Sequence, residues 1–271
     1  MKPNRLLIIA TVWCCAIFLS AQATAQTTPT RPRIVTLTPH ATELVFAAGG
    51  GQAIVATVQA SDYPASVHQL PKVGSGLGVE VEPIVSQNPT LVVSWPSPLL
   101  DRLKTLGFQT FASQPQYLND IPNEIDALGK VLHTEAFANT QSATLRSRIQ
   151  ALPVLKPKTP FKVVILADLD AGYAIGGQHI LNDVLLRCGA VNVFARHVAA
   201  APLISAESLW ATQPDFIIVG QTDQKPVQLP PKLANLKAKV FPVNADALFR
   251  PGPRFIDAAE LICNQLQQAT Q

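Results

Sequence analysis

Short apolar runs and stretches of helical spacing alternate along most of the chain. Residues 33–37 (RIVTL) read as a strand, Thr38-Pro39 as a turn and 42–48 as a helix that Gly49-Gly50-Gly51 stops. A second strand is predicted over 54–58. A short helix opens at Pro83 and runs to 87, and a strand follows over 91–94. A helix over 99–106 ends at Gly107, with strand-like residues at 109–112. Apolar strands interleaved with helices predict parallel β-α units whose sheet is covered on both faces.

The texture changes in the middle of the chain. Residues 135–152 (EAFANTQSATLRSRIQAL) contain neither Gly nor Pro, and Phe137, Leu145, Ile149 and Leu152 fit a helical stripe only loosely. A helix of that length spans roughly 27 Å. Pro153, Pro157 and Pro160 end it, so the segment reads as a rigid connector over 134–153. The α/β pattern then restarts: strands over 162–167, 216–219 and 240–243, a helix over 179–188 stopped by Gly189, and a closing helix over 254–268. The expected fold class is α/β: two lobes with mostly parallel central sheets flanked by helices, joined by a single long rigid helix. The lobes are expected over 26–133 and 154–271.

One block occurs twice. EPIVSQNPTLVV, beginning at Glu82, aligns with ESLWATQPDFII, beginning at Glu207. Each has a leading Glu, a short helix, a proline seven residues on and an apolar strand. A repeat on either side of the connector implies two lobes of like construction with Glu82 and Glu207 in equivalent places; a common helix-turn-strand signature arising by chance is the alternative.

The first residues change the picture of the compartment. Lys2 and Arg5 precede an apolar stretch over 6–19, and Ala23-Thr24-Ala25 offers a cleavage site, so 1–25 reads as a signal peptide of an exported chain. Two of the four cysteines leave with that leader. Cys188 and Cys263 remain, and an even count in an oxidising compartment favours a disulfide over two buried thiols. The formal charge of +3 includes Lys2 and Arg5 of the leader and forms no basic stripe, which argues against nucleic acid as a partner.

Motifs for catalysis are missing. Gly74-Ser75-Gly76-Leu77-Gly78 fits neither a dinucleotide fingerprint nor a phosphate loop nor a nucleophile elbow, and reads as a bland loop. His40, His68, His133, His179 and His197 lie far apart with no metal-binding spacing, and each reads as a surface or capping residue. No resident metal or cofactor and no enzyme activity is expected. The segment 246–254 (DALFRPGPR) is the most polar-aromatic stretch of the second half. Its Arg250 and Arg254 bracket a fixed loop that either meets an anionic or amide ligand or bridges nearby acids. Trp95 follows an apolar strand and Tyr173 sits among glycines; each either faces an inter-lobe cleft or packs in a core.

Taken in order, several segments resemble one family over essentially all of the mature chain. They are RIVTL with Thr38-Pro39 and Thr42-Glu43-Leu44; Ser61-Asp62-Tyr63-Pro64; the Glu82 block; Cys188-Gly189-Ala190 with Asn192-Val193-Phe194; and 246–254 running into Cys263. The chain is similar to the periplasmic binding proteins for cobalamin, haem and ferric siderophores, whose lobes one long helix joins. The resemblance implies a monomer in the periplasm that hands a corrinoid or another metal chelate to the permease dimer of an ABC importer. It implies permease docking for Glu82 and Glu207, ligand contact for Trp95, Tyr173, Asp246 and Arg250, and a disulfide between Cys188 and Cys263. Ala60, Gly76 and a position near Ala201 stand where the cobalamin-binding members carry further aromatics. Ser75, after Val73-Gly74, stands where haem-binding members carry a tyrosine ligand.

Overall fold

The computed structural model describes residues 32–75, 78–169, 172–222 and 225–269; the expected leader and Gly76 lie outside them. The first sheet grows from the apolar runs. Strands β1 (Ile34–Thr36), β2 (Ile54–Ala56), β5 (Leu91–Ser94) and β6 (Thr110–Ala112) lie in the order β2-β1-β5-β6, all parallel. The glycine-rich segment forms a small antiparallel ribbon, β3 (Gly74–Ser75) with β4 (Gly78–Val79). Helices α1 (Pro39–Ala47), α2 (Val81–Val85) and α3 (Pro98–Thr105) connect the strands. Alternate strand residues feed opposite faces, as a doubly covered sheet requires: Ile34 joins the main core, and Val35 packs with Leu37, Val92 and Leu103 on the other side. Helix α1 starts three residues earlier than its spacing predicts. Pro39 occupies its first turn, where a missing N–H costs nothing and φ is already helical.

The second sheet repeats the plan. Strands β7 (Phe161–Asp168), β10 (Phe216–Gln221) and β11 (Lys239–Asn244) are parallel in the order β11-β10-β7. Along the far edge of β7, β9 (Ala190–Asn192) pairs in parallel and β8 (Tyr173–Ala174) pairs antiparallel. Helices α6 (Leu181–Arg187), α7 (Ala206–Thr212), α8 (Ala245–Phe249) and α9 (Phe255–Gln268) flank it. Helix α6 is tied to α9 by the Cys188–Cys263 disulfide, whose Cα atoms are 5.1 Å apart; the alternative of two free thiols is set aside.

Between the sheets stand two helices, α4 (Asp120–Leu132) and α5 (Glu135–Ala151). The apolar spacing predicts only the second. Pro122 and Gly129 interrupt the pattern of α4, yet Pro122 falls in the first turn, where its amide would have no partner anyway. Gly129 lies where the helices cross most closely: a side chain there would run into the Cβ of Ala138. His133 ends α4 in the left-handed conformation (φ 55°), and Thr134 alone separates it from α5. The connector is therefore one arm of a helical hairpin. Its buried stripe is Ala138, Ser142, Leu145 and Ile149, whereas Phe137 points outward and is half exposed. Arg146 bridges to Asp126 of α4 at 2.7 Å, and Arg148 reaches Glu260 and Asp257 of α9 at 2.8 and 2.6 Å. One buried apolar network runs from Ile34 and Leu44 through Ile125, Leu128 and Leu145 to Ile165, Ile218 and Ile262, so the two lobes share a core around the hairpin. Among the described residues no helix is long and apolar enough to cross a membrane.

Candidate functional site

In parallel α/β sheets, ligand-binding loops leave the carboxyl ends of strands. Here the connections after β1, β2, β5 and β6 carry His40 (in the first turn of α1), Asp62, Trp95 and Ser113, and those after β8 and β11 carry Asp183 (in α6) and Arg250 (just past α8). Contacts across the molecule show that the two carboxyl edges face each other. Arg250 binds Asp62 at 2.5 Å and Asp246, one turn before it, at 2.6 Å. Arg254 binds Glu43 of α1 at 2.6 and 3.1 Å, and its guanidinium lies 4.2 Å from the ring centre of Tyr63. On another strand-end loop the Leu118 amide donates to Asp183 at 2.8 Å.

Arg250 thus bridges two acids, Arg254 pairs with one, and both reach across to the first lobe. Glu43 is 2% exposed. Burial pushes its carboxyl upward, and the hydrogen bond and charge of Arg254 oppose that shift. The Glu43 bond in turn raises Arg254. For Asp62 burial also acts upward, but the hydrogen bond and charge of Arg250, with the charge of Arg254 behind it, hold the carboxyl below its ordinary range. The result is a partly exposed, salt-bridged array, Asp62–Arg250–Asp246, whose side chains can hydrogen-bond amides and other polar arms of a ligand. Beneath Asp62 the hydroxyls of Thr36, Thr42, Thr57 and Ser61 bond to one another at 2.7 to 3.1 Å, fixing the loop that presents it.

Trp95 is half-buried at the end of β5, its ring centre 4.3 Å from that of His40. His40 is not the surface residue its isolation in the sequence suggests. It is 2% exposed, and burial lowers its pKa to about 3, so the imidazole is neutral. Ser113 donates to Glu124 at 2.5 Å and lies 3.1 Å from His40 Nε2, which therefore donates to Ser113. This relay sets the plane of the imidazole on which Trp95 rests. Tyr173 lies outside the ion-pair array: it is 44% exposed on β8, opposite the exposed Leu203 in an antiparallel bridge. Neither Trp95 nor Tyr173 is core packing. Among the described residues no group of three or more His, Cys, Asp or Glu gathers to hold a metal ion.

Asp62, Glu43, His40 and Ser113 were not legible as site residues. The one local signal was the polar-aromatic turn Ser61-Asp62-Tyr63-Pro64 directly after a strand.

Glu82 and Glu207 are both exposed, in the first turns of α2 and α7. The duplication behind them holds in detail. From 82–95 against 207–220, every pair of positions is alike in being buried, half-buried or exposed. Asn88 and Gln213, each before a proline, are both left-handed (φ 47° and 43°). The Arg33 side chain donates to the Gln87 carbonyl, and the Lys162 side chain to that of Thr212. Their backbone amides donate to the side chains of Thr90 and Asp215. Chance convergence does not produce matched hydrogen bonds at matched positions, so the repeat reflects two lobes of one construction.

Fold and cleft together define a two-lobed binding protein, and the chain belongs to the periplasmic binding protein family, whose model matches residues 34–239. It is 30% identical over 282 residues to a vitamin B12-binding protein of Vibrio cholerae serotype O1, covering 97% of this chain and 99% of that protein. A vitamin B12-binding protein of Photorhabdus laumondii is 30% identical over 244 residues, 86% of this chain and 87% of that one. Among solved structures, the periplasmic vitamin B12 binding protein BtuF of Vibrio cholerae superposes with a TM-score of 0.81 at 30% identity, over 88% of this chain and 98% of that one.

Proposed function

We propose that this chain is an exported binding protein that captures cobalamin or a related corrinoid between its lobes and delivers it to an ABC importer. The observation that carries the reading is the cleft itself. Trp95 stands on one wall and the Asp62–Arg250–Asp246 array spans to the other, in a chain alike over nearly its whole length to vitamin B12-binding proteins. A corrinoid offers a flat hydrophobic ring system fringed by amides, and an aromatic face plus a salt-bridged hydrogen-bonding array suits those two chemistries. Tyr173 supplies a second exposed ring on the opposite lobe.

In this reading 1–25 is a cleaved leader, the chain works as a monomer in the periplasm, and it carries no catalytic residues or resident cofactor. The lobes run over 26–133 and 154–271 about the connector at 134–153. Glu82 and Glu207, equivalent by the repeat, dock on the two halves of a permease dimer. A metal chelate such as a ferric siderophore is the second reading, favoured by Ala60, Gly76 and a position near Ala201, small residues where the family resemblance implies further aromatics. A ligand panel in native mass spectrometry separates the two. Trp95→Ala and Arg250→Ala should each weaken cobalamin binding by about 10- to 100-fold, the range for losing an aromatic or charged anchor. Unchanged affinity in calorimetry would remove that residue from the site.

A further inference from the structure

The duplicated block places more than a carboxylate at matched positions. Three residues after each glutamate, on the same helical face, the first lobe has Val85, 37% exposed, and the second has Trp210, 39% exposed. The residues just before them, Ile84 and Leu209, are buried, so each helix turns one side chain inward and offers the next outward. Trp210 is held in place: its Nε1 donates to the Lys232 carbonyl at 3.0 Å, and its ring borders a hollow of about 470 Å³ shared with Lys162, Pro214 and Leu236. A fixed, half-exposed tryptophan beside a hollow and one turn from an ionised glutamate is the arrangement of an interface anchor. Glu207 is kept ionised by a hydrogen bond to its own backbone amide and one to Ser205.

We propose that Trp210 and Val85 are the apolar halves of two docking sites and that the pair is unequal by design, with Trp210 supplying most of the affinity. The partner that fits is a protein with two-fold symmetry. Each half of it would present a cation for the glutamate and an apolar side chain about one helical turn away. A symmetric partner cannot distinguish the two lobes by charge, since each offers one glutamate. The tryptophan-for-valine difference therefore makes the second lobe the tighter half. The inference rests on the docking role proposed for Glu82 and Glu207.

The test measures binding of the ligand-loaded protein to the permease–ATPase complex from the same genome, in lipid nanodiscs, by biolayer interferometry. Cobalamin affinity and thermal melting are recorded for every variant. Glu82→Gln and Glu207→Gln should both weaken docking. Trp210→Ala should weaken it by about 30-fold and Val85→Ala by about threefold or less, as expected for a buried tryptophan against a small aliphatic. Trp210→Phe should restore most of the loss, and cobalamin affinity should not move. Should the alanine variant melt early, Trp210→Gln gives the same reading on an intact helix. Weakened docking in both glutamate variants with Trp210→Ala unchanged overturns the inference and leaves the docking role standing. Equal losses for Trp210→Ala and Val85→Ala overturn the asymmetry. Glutamate variants that dock normally overturn the docking role and this inference with it.

Discussion

His40 meets solvent through almost none of its surface, packed under Trp95 and bonded to Ser113. In the unfolded chain its imidazole takes a proton near 6.5, whereas in the folded chain burial holds that step down to about 3. Between those values the unfolded state binds a proton that the folded state refuses, so stability falls as pH falls from 6.5 towards 3 and is unaffected above. The slope approaches about 1.4 kcal/mol per pH unit. Glu124, raised by burial, acts in the opposite sense across its own window. His40→Gln should flatten the acid limb; urea midpoints over a pH series check this, and identical limbs in both proteins would refute it. At this scale the sequence was only half legible. Asp246 and Arg250 stand four apart on one polar segment and could be singled out together. Their partner Asp62 is 188 residues from Arg250, and Glu43 is 211 from Arg254. Pairings at that distance depend on how the lobes close on each other, which no local pattern records.

Helix α5 was readable because it lacks Gly and Pro over its whole length, and the strands were readable because both of their faces are buried. Helix α4 was not. Pro122 and Gly129 signal breaks, and the tertiary reasons that make them tolerable, a first-turn position and a close crossing with Ala138, are invisible without the partner helix. The same hairpin explains why Phe137 misled: it looks like part of the stripe, but the crossing selects Ala138 and Ser142, which are small enough for close approach. At the other end, α6 and α9 pack around Cys188 and Cys263, both fully buried. Closing a loop of 75 residues restricts the unfolded chain, worth about 4 kcal/mol on the chain-entropy model. The double variant Cys188→Ser/Cys263→Ser should therefore unfold at clearly lower denaturant, and an unchanged midpoint would show that the α6–α9 packing alone holds that corner.

The whole molecule is two copies of one plan fused through a shared core. The duplication was visible in the sequence as a twelve-residue block, and the structure extends it to backbone conformation, exposure and hydrogen bonds. Two positions where the copies differ are those given the proposed roles. Trp95 in the first lobe corresponds to Gly220 in the second, where any side chain would run into the ring of Phe249. Val85 corresponds to Trp210. One lobe thus contributes a tryptophan to the cleft and the other a tryptophan to the outer surface. A continuous core and the Arg148 bridges to α9 tie the lobes together, so capture is expected to rest on a cleft already formed rather than on a wide closing motion. The proposed ligand of this cleft is a corrinoid. Isothermal titration of the unliganded protein with cyanocobalamin tests it most directly. A single site with a dissociation constant of about a micromolar or tighter is expected, and no binding at tens of micromolar would show that the cleft does not take a corrinoid.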